Sequence, residues 1–394
     1  MKKIRLAVIG SKLGASLHMG NLGALRQYKV EVAAVAAGTR ESAEAFARKY
    51  NIPDAYDDYR RVLERPDIDA VDLCVPTDLH EPFAVLAAQA GKHVICEKPL
   101  TGYFGKDRPE EAVGQAVPRE LMLREALAGC DRVREAVRAG GVKFMYAENW
   151  IYAPPLVKLK RLIRESEGTV MEIRAEQGHS GSAAQYSRRW KTSGGGALMR
   201  LGSHPIGAAL HLKHYEGVLR SGEPIRPRWV TAEVGNHTRI ASFLREPKKY
   251  VVSDWGDVED WGMAVIGFSD GSKATILASD AILGGVRNVL NAYLSNAVVY
   301  VNINPHDVVQ VYAPEPHIFG GEYIAEKVET KAGWHFVSPD DDWMRGFPQE
   351  MEDFIDAIAL DREPVSGMDL ARDVVETIYG AYVSAEQGRR VSLG

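Results

Sequence analysis

Ile4-Arg5-Leu6-Ala7-Val8-Ile9-Gly10-Ser11-Lys12-Leu13-Gly14-Ala15-Ser16-Leu17-His18 is an apolar run of strand length that breaks at a glycine and restarts with helical composition. In a dinucleotide-binding fold, this passage from strand through turn to helix sets the helix N-terminus against a pyrophosphate. A strict G-x-G-x-x-G needs glycine at 12 and 15. Lys12 and Ala15 stand there instead, only Gly10 is in register, and Gly14 comes one place early. Gly10, Ser11, Lys12, Leu13 and Gly14 are therefore candidate cofactor-binding residues, with an ordinary strand-to-helix turn as the competing reading.

Outward from this run, the first 150 residues alternate short apolar stretches with helical spacing, the pattern of parallel strands joined by crossover helices. Ile4 to Ile9, Val30 to Ala36, Ala70 to Val75, His93 to Cys96 and Phe144 to Ala147 are nearly continuous in apolar residues, as strands buried on both faces must be. Glu41 to Tyr50 and Leu79 to Ala90 have helical spacing, and Gly91 suits the left-handed cap that ends the second helix. After Pro154-Pro155 and a helix at Leu156 to Arg164, the period drops to two. Thr169 to Glu176, Trp229 to Val234, Gly262 to Phe268 and Lys273 to Ala278 read as strands, and Asp270-Gly271 turns the last pair. Ala297 to Asn302 and Val308 to Tyr312 extend the same sheet; helices at Gln349 to Ala359 and Asp369 to Ala385 close the chain, with Asp369 as candidate N-cap.

The expected fold class is α/β: a doubly wound Rossmann domain over residues 1–150, then an α+β domain over 151–394 with a large, mostly antiparallel sheet. That sheet is the expected surface for homo-oligomers, and the C-terminal helices are candidates to pack back on the first domain. With 45% apolar and 26% charged residues, the 394-residue chain is of ordinary globular composition, and no stretch reaches the roughly 18 uninterrupted apolar residues of a membrane helix. Forty-eight basic against 53 acidic side chains leave a net charge of −5, so no global positive field draws nucleic acid. A small molecule is the expected partner, with neither nucleic acid nor membrane. Cys74, Cys96 and Cys130 are too few and odd in number for a disulfide framework, and no signal-like segment opens the chain, so a cytoplasmic location is expected. Cys74 and Cys96, at strand ends, read as small buried hydrophobes rather than nucleophiles.

The end of the second strand usually selects the coenzyme, a carboxylate there bonding the ribose 2′-hydroxyl. Ala37-Gly38-Thr39-Arg40 has no acid, and Thr39 with Arg40 leans toward NADP over NAD; the competing reading makes Arg40 a solvated charge. Cys96-Glu97-Lys98-Pro99 follows a buried strand at the carboxyl edge, where open α/β sheets bind ligands. A lysine there can handle the proton of a substrate hydroxyl once desolvation lowers its pKa, or it can simply pair with Glu97.

Glu97-Lys98-Pro99, Val75-Pro76-Thr77-Asp78-Leu79-His80, Gly194-Gly195-Gly196-Ala197-Leu198 and Gly202-Ser203-His204-Pro205, with the closing Pro364-Val365-Ser366-Gly367 and Gly388-Arg389-Arg390-Val391, resemble the Gfo/Idh/MocA family over nearly the whole chain. The resemblance implies hydride transfer between NAD or NADP and a ring carbon of a sugar or polyol. It also implies Lys98 and His204 as catalytic residues, and Val75, Pro76, Thr77, His80, Glu97 and Lys98 beside the cofactor. Two other outcomes of the same scaffold stay open: an NAD-dependent glycosidase that oxidises, eliminates and re-reduces, and a non-catalytic sensor.

The chain departs from the family beside His204. Where an acid usually precedes the histidine by four residues stands Arg200, and Gly207 replaces a common second acid. If the segment is one helix, positions 200 and 204 share a face, although Pro205 can restart it. Arg200 reads either as a clamp for an anionic substituent (uronate, sulfo-sugar or phosphate) or as the partner of a nearby acid. Asn149, Trp150 and Tyr152 after the last Rossmann strand, His179 after the first strand of the second domain, and Trp190 are candidate substrate contacts, because sugars present apolar faces and hydroxyl edges; packing competes at each. No ligand-spaced cysteine or acid accompanies His204, His211 and His214, so no metal is expected. The stretch Thr101 to Pro118 reads as an insertion, either a lid or a surface or subunit contact.

Overall fold

The computed structural model describes residues 3–22, 28–106, 108, 112–304 and 308–394. Strands β1 (Lys3–Ile9), β2 (Lys29–Ala36), β3 (Asp54–Tyr56), β4 (Ala70–Leu73), β5 (His93–Glu97) and β6 (Phe144–Ala147) form a parallel sheet in the order β3-β2-β1-β4-β5-β6. The order reverses at β1, which places a crevice between the carboxyl ends of β1 and β4, the position where such sheets take ligands. β1, β4 and β5 are apolar almost throughout because helices cover both faces. The short edge strand β3 was not legible in the sequence. Helix Arg40–Tyr50 is capped by the Thr39 hydroxyl at its start and by left-handed Asn51 at its end, and Gly91 takes the positive φ expected of it, 70°.

A second sheet follows: β7 (Val170–Gly178), β8 (Pro227–Gly235), β9 (Trp261–Phe268), β10 (Lys273–Ser279), β11 (Arg287–Leu294) and β12 (Val298–Asn302). Its order is β12-β11-β7-β10-β9-β8, and the two-residue β15 (Val391–Ser392) pairs on the outer side of β8. All pairings are antiparallel except β7 with β10, so the mixed but mainly antiparallel character holds. Val170, Ile173, Ala175, Ala264, Ile266, Ala274 and Ile276 point to the face covered by helices Ser203–Ser221 and Met368–Gln387. The latter also packs on Arg119–Gly140 of the first layer and so joins the two sheets.

Two expectations are corrected, and one strand had escaped the sequence reading. Val308 to Tyr312 does not extend the large sheet; β13 (Val309–Ala313) instead pairs with β14 (Gly333–Val337) in a separate hairpin. β11, with its polar Asn288 and Asn291, fills the place beside β7 and escaped the hydrophobic pattern. Asp369 does not cap the last long helix: Gly367 precedes it without a side-chain cap, and Asp369 lies in the first turn near Arg134 and Arg226.

The segment after Pro99 is neither an open lid nor a solvent loop where it is described. The Tyr103 amide donates to the Tyr379 hydroxyl and its carbonyl accepts from the Trp190 indole, while the Gly114 amide donates to Asp257. Pro109, with residues 107, 110 and 111, lies outside the described residues. No helix among the described residues is long and apolar enough to cross a membrane.

Gly10 has φ 122°, and a Cβ there would overlap the Cys74 carbonyl at the end of β4. Gly10→Ala should therefore lower the unfolding free energy by roughly 1–3 kcal/mol in urea denaturation. An unchanged midpoint would show that the turn tolerates the extra carbon.

Candidate active site

The site is built where β5 and β6 end. Their register pairs Glu97 with Ala147, so Lys98 and Glu148, the next residues on each strand, emerge side by side at the carboxyl edge. Lys98 extends across to the second layer and donates from Nζ to the Arg200 carbonyl at 2.9 Å. Burial pushes its pKa below the ordinary lysine value, against the attraction of Glu97 and Glu148.

His204 arrives from the opposite side, on the first turn of helix Ser203–Ser221. Its Nδ1 lies 2.6 Å from Glu148 Oε1, and its ring stacks on Trp150 with centroids 5.7 Å apart and planes 9° apart. Nδ1 being engaged, Nε2 is the nitrogen left to meet a hydroxyl. Burial, reinforced by the Lys98 ammonium, holds the imidazole pKa well below its usual range, while burial pushes the Glu148 carboxyl up to about 8 against the pull of Lys98. Gly207 makes the pairing sterically feasible: a Cβ there would stand 3.0 Å from Glu148 Cγ. Glu148 carries no local signal of this role in the sequence, because its partner lies 56 positions away on another element.

Beneath the glycine turn sits a second charge network. His18 Nδ1 lies 2.9 Å from both Asp72 oxygens, and its Nε2 faces Glu97 at 3.4 Å. Burial opposes charge on His18, but Asp72 and Cys74 outweigh it and raise its pKa well above the ordinary value. Glu97 is likewise pushed up by burial yet held low by His18, so imidazolium and carboxylate stand paired under Gly14, whose missing side chain leaves room for Glu97. Burial raises the thiols of Cys74 and Cys96, which stay protonated.

Several of the expected contact residues are engaged by partners within the protein. Trp190 is 1% exposed; its indole donates to Tyr103, and its ring lies against Tyr382 and under Arg119, 4.0 Å from the guanidinium. Tyr152 donates to Asp353 at 2.7 Å and accepts from the Ser366 amide, deep in the core. His80 bridges the Val75 and Pro99 carbonyls through its two ring nitrogens, which ties the loops after β4 and β5 together, with Thr77 buried beside it and Pro76 outermost. Asn149 donates to the Arg345 carbonyl. His179 accepts the Gly181 amide at Nδ1 and stays neutral, its pKa pushed to about 3 by burial and by Lys327, Arg200 and Lys98.

Arg200 and His204 do not share a helix. Ala197–Arg200 ends as a separate turn before Ser203, and the Arg200 guanidinium turns to the fully buried Asp280 and lies over Trp255 at 4.9 Å. The arginine thus takes the acid-pairing alternative. His211 and His214 turn away as well, to Lys160 and Asp373. In the triglycine motif, Gly196 and Leu198 donate their amides to Glu259, a carboxylate that Tyr382 also meets.

Whether this edge suits a dinucleotide is tested by its shape. The turn at Gly10, whose amide donates to the Ala36 carbonyl, lies against the Cys74 carbonyl where no Cβ fits, helix Leu13–Leu22 starts two residues beyond Ser11, and Lys12 and Leu13 are exposed at its mouth. Residues 10–14 therefore fit a pyrophosphate at a helix N-terminus. Thr39 and Arg40 close the second strand, but Thr39 caps the following helix, and Arg40 bonds Glu44 at 2.7 Å and the Ala55 carbonyl at 2.9 Å.

This is the fold and edge chemistry of a dinucleotide-binding protein. The chain belongs to the Gfo/Idh/MocA oxidoreductases: residues 4–112 match the family's NAD-binding Rossmann model, and 156–299 match its C-terminal domain. It is 28% identical over 259 residues to levoglucosan dehydrogenase of Pseudarthrobacter phenanthrenivorans, covering 62% of this chain and 58% of that one. It is 31% identical over 217 residues to dTDP-3,4-didehydro-2,6-dideoxy-alpha-D-glucose 3-reductase of Saccharopolyspora spinosa, covering 53% and 56%. The chain thus spans about half the length of the curated relatives it matches. The fold is shared with GenD2 of gentamicin A biosynthesis in complex with NAD, at 24% identity with a TM-score of 0.80 over 100% of this chain and 97% of that one. It is shared also with levoglucosan dehydrogenase in complex with NADH, at 19% and 0.74 over the whole of both.

Removing one partner of a buried ion pair leaves an uncompensated charge. Arg200→Ala should therefore cost about 3–5 kcal/mol of stability in urea denaturation. A variant as stable as the parent would mean that the Asp280 pairing carries nothing.

Proposed function

We propose that the protein is a nicotinamide-dependent dehydrogenase acting on a ring hydroxyl of a sugar or glycoside. The observation that carries this reading is the convergence of Lys98, Glu148 and His204 at the carboxyl edge beside a turn that fits a dinucleotide. The bound nicotinamide supplies the hydride acceptor or donor. The chain's own residues handle the proton and the orientation: His204 Nε2 meets the hydroxyl proton, and the Lys98 ammonium polarises the same oxygen while anchored on the Arg200 carbonyl. Trp150 fixes the imidazole plane from one face. The names of levoglucosan dehydrogenase and the dTDP-sugar reductase support a carbohydrate substrate.

A second reading, that the sugar carries an anionic group, is favoured by the cations Lys98, Arg200 and Lys327, which add to burial in holding His179 neutral. Arg200 would have to be shared with Asp280. For the coenzyme, the lean to NADP rests on Arg40, whose exposed bond to Glu44 is weak competition for a 2′-phosphate. The three unpaired cysteines suit a reducing cytoplasm, and the half-buried Met263, Leu277 and Val289 on the open face of the large sheet suit self-association into a homo-oligomer.

A panel of neutral and anionic sugars and glycosides, read for both reduced coenzyme and released aglycone, tests the reading. Net coenzyme reduction supports a dehydrogenase. Aglycone release without it marks the glycosidase route, and neither marks a sensor. Lys98→Ala should lower kcat roughly 10²- to 10⁴-fold with coenzyme Kd unchanged; retained kcat would remove the lysine from the mechanism. Arg40→Ala should weaken NADP and leave NAD nearly unaffected, whereas equal losses would contradict the 2′-phosphate contact.

A further inference from the structure

Four residues before His204, where the family resemblance leads one to expect an acid, this chain has an arginine, and a carboxylate from the other layer meets the imidazole instead. Position 200 is an arginine committed to Asp280, and position 207 has no side chain. Into the space left at 207 comes Glu148, whose Cγ, Cδ and Oε2 are the three atoms nearest a Cβ built there, at 3.0–3.2 Å. Its Oε1 meets His204 Nδ1 at 2.6 Å, while Oε2 is buried without a hydrogen-bond partner among the described residues. A buried carboxylate with one committed and one orphaned oxygen is costly unless the committed bond is useful.

We propose that Glu148 is the positioning carboxylate of this site, setting which nitrogen of His204 carries the proton and thereby whether the imidazole acts as base or acid. The inference rests on the dehydrogenase reading for its catalytic consequence, but the pairing itself does not. With Glu148 ionised, Nδ1 keeps its hydrogen and donates it to Oε1, and Nε2 presents a lone pair that takes the proton of a substrate hydroxyl. With Glu148 protonated, its O–H donates to Nδ1, and the ring hydrogen sits on Nε2, ready for a carbonyl oxygen. In either direction one proton moves between substrate oxygen and Nε2, and Glu148 holds or releases its counterpart at Nδ1.

The groups facing this pair come from every side: Lys98 and Glu97 from the end of β5, Tyr146 from β6, Arg345 from the segment after the hairpin, and Glu350 from helix Phe347–Ala359. Burial raises Glu148 to about 8 and holds His204 low. Below about pH 8 the carboxyl therefore keeps its proton, and the pair is in its acid form; above that, the base form prevails. Oxidation should rise with pH through about 8, and reduction should fall through the same range.

The test compares wild type, Glu148→Gln, Glu148→Asp and Gly207→Ala, with coenzyme Kd and thermal midpoint measured alongside. Glu148→Gln should lower kcat for oxidation roughly 100-fold and abolish the rise through pH 8, with coenzyme Kd within about twofold. Glu148→Asp should recover a pH-dependent limb. Gly207→Ala, which touches the site through Glu148, should lower kcat and displace that limb. In the coenzyme-free protein, the ¹⁵N shifts of the His204 ring should report Nδ1–H at high pH in wild type and lose that pH dependence in Glu148→Gln. If Glu148→Gln keeps the parental kcat and pH rise, if kcat falls while the pH profile stays unmoved, or if the ring shifts titrate identically in both proteins, the assignment is wrong. A wild type that reduces no coenzyme with any sugar overturns the dehydrogenase reading instead, and the ring shifts still decide the pairing.

Discussion

The pairing of Glu97 with Ala147 across β5 and β6 is the constraint from which the site follows. Parallel register fixes what stands next to what at a strand end, and here it sets Lys98 beside Glu148 at the sheet's carboxyl edge. Lys98 then spans to the second layer, and Glu148 receives His204 from it, so at this site each layer sends one side chain to the other. Sliding β6 by one residue would turn Glu148 to the opposite face and leave His204 without a carboxylate.

The charges around this edge are sorted rather than mixed. His18 with Asp72 and Glu97 forms a closed network below the glycine turn, Arg200 with Asp280 another beside it, and Glu259 a third that gathers the triglycine amides and Tyr382. Each stands against a piece of backbone: the first lies under Gly14 and holds the Lys98 amide through Glu97, the second anchors the end of Ala197–Arg200, and the third holds the Gly196 amide. Among the described residues, His204 Nε2 and the remaining donor capacity of Lys98 are left at the centre for a substrate. Preorganisation of that kind lets a proton move without rearranging its surroundings.

Much of this was legible in the sequence, and the boundary between what was and was not is physical. The parallel strands declared themselves by continuous apolar runs, and the edge lysine by standing just past one of them. Lys98 and His204 were nameable because family resemblance attaches to local strings. Glu148 was not, because its meaning depends on a partner from another element and on the empty space at Gly207. Arg200 was readable as one of two things, and only the fold could bring Asp280 to it. Trp190 and Tyr152 have the composition of sugar platforms, yet each has a polar atom satisfied by core partners, Tyr103 and Asp353, which no local pattern could reveal. β11 and the β13–β14 hairpin were missed or misassigned because polar residues interrupt one, and a short alternating run fits an edge strand of either sheet.

The central claim is that this edge exchanges a hydride with a sugar ring carbon while the proton of the hydroxyl on that same carbon passes to His204. It is tested most directly by incubating the protein with oxidised coenzyme and ring-deuterated hexoses and hexosides, and recording the deuterium NMR of the recovered coenzyme. The account predicts deuterium at the reactive carbon of the nicotinamide ring, in an amount matching the ketosugar formed. Substrate consumed with no label in the coenzyme pool, and none exchanged within the sugar, would contradict it.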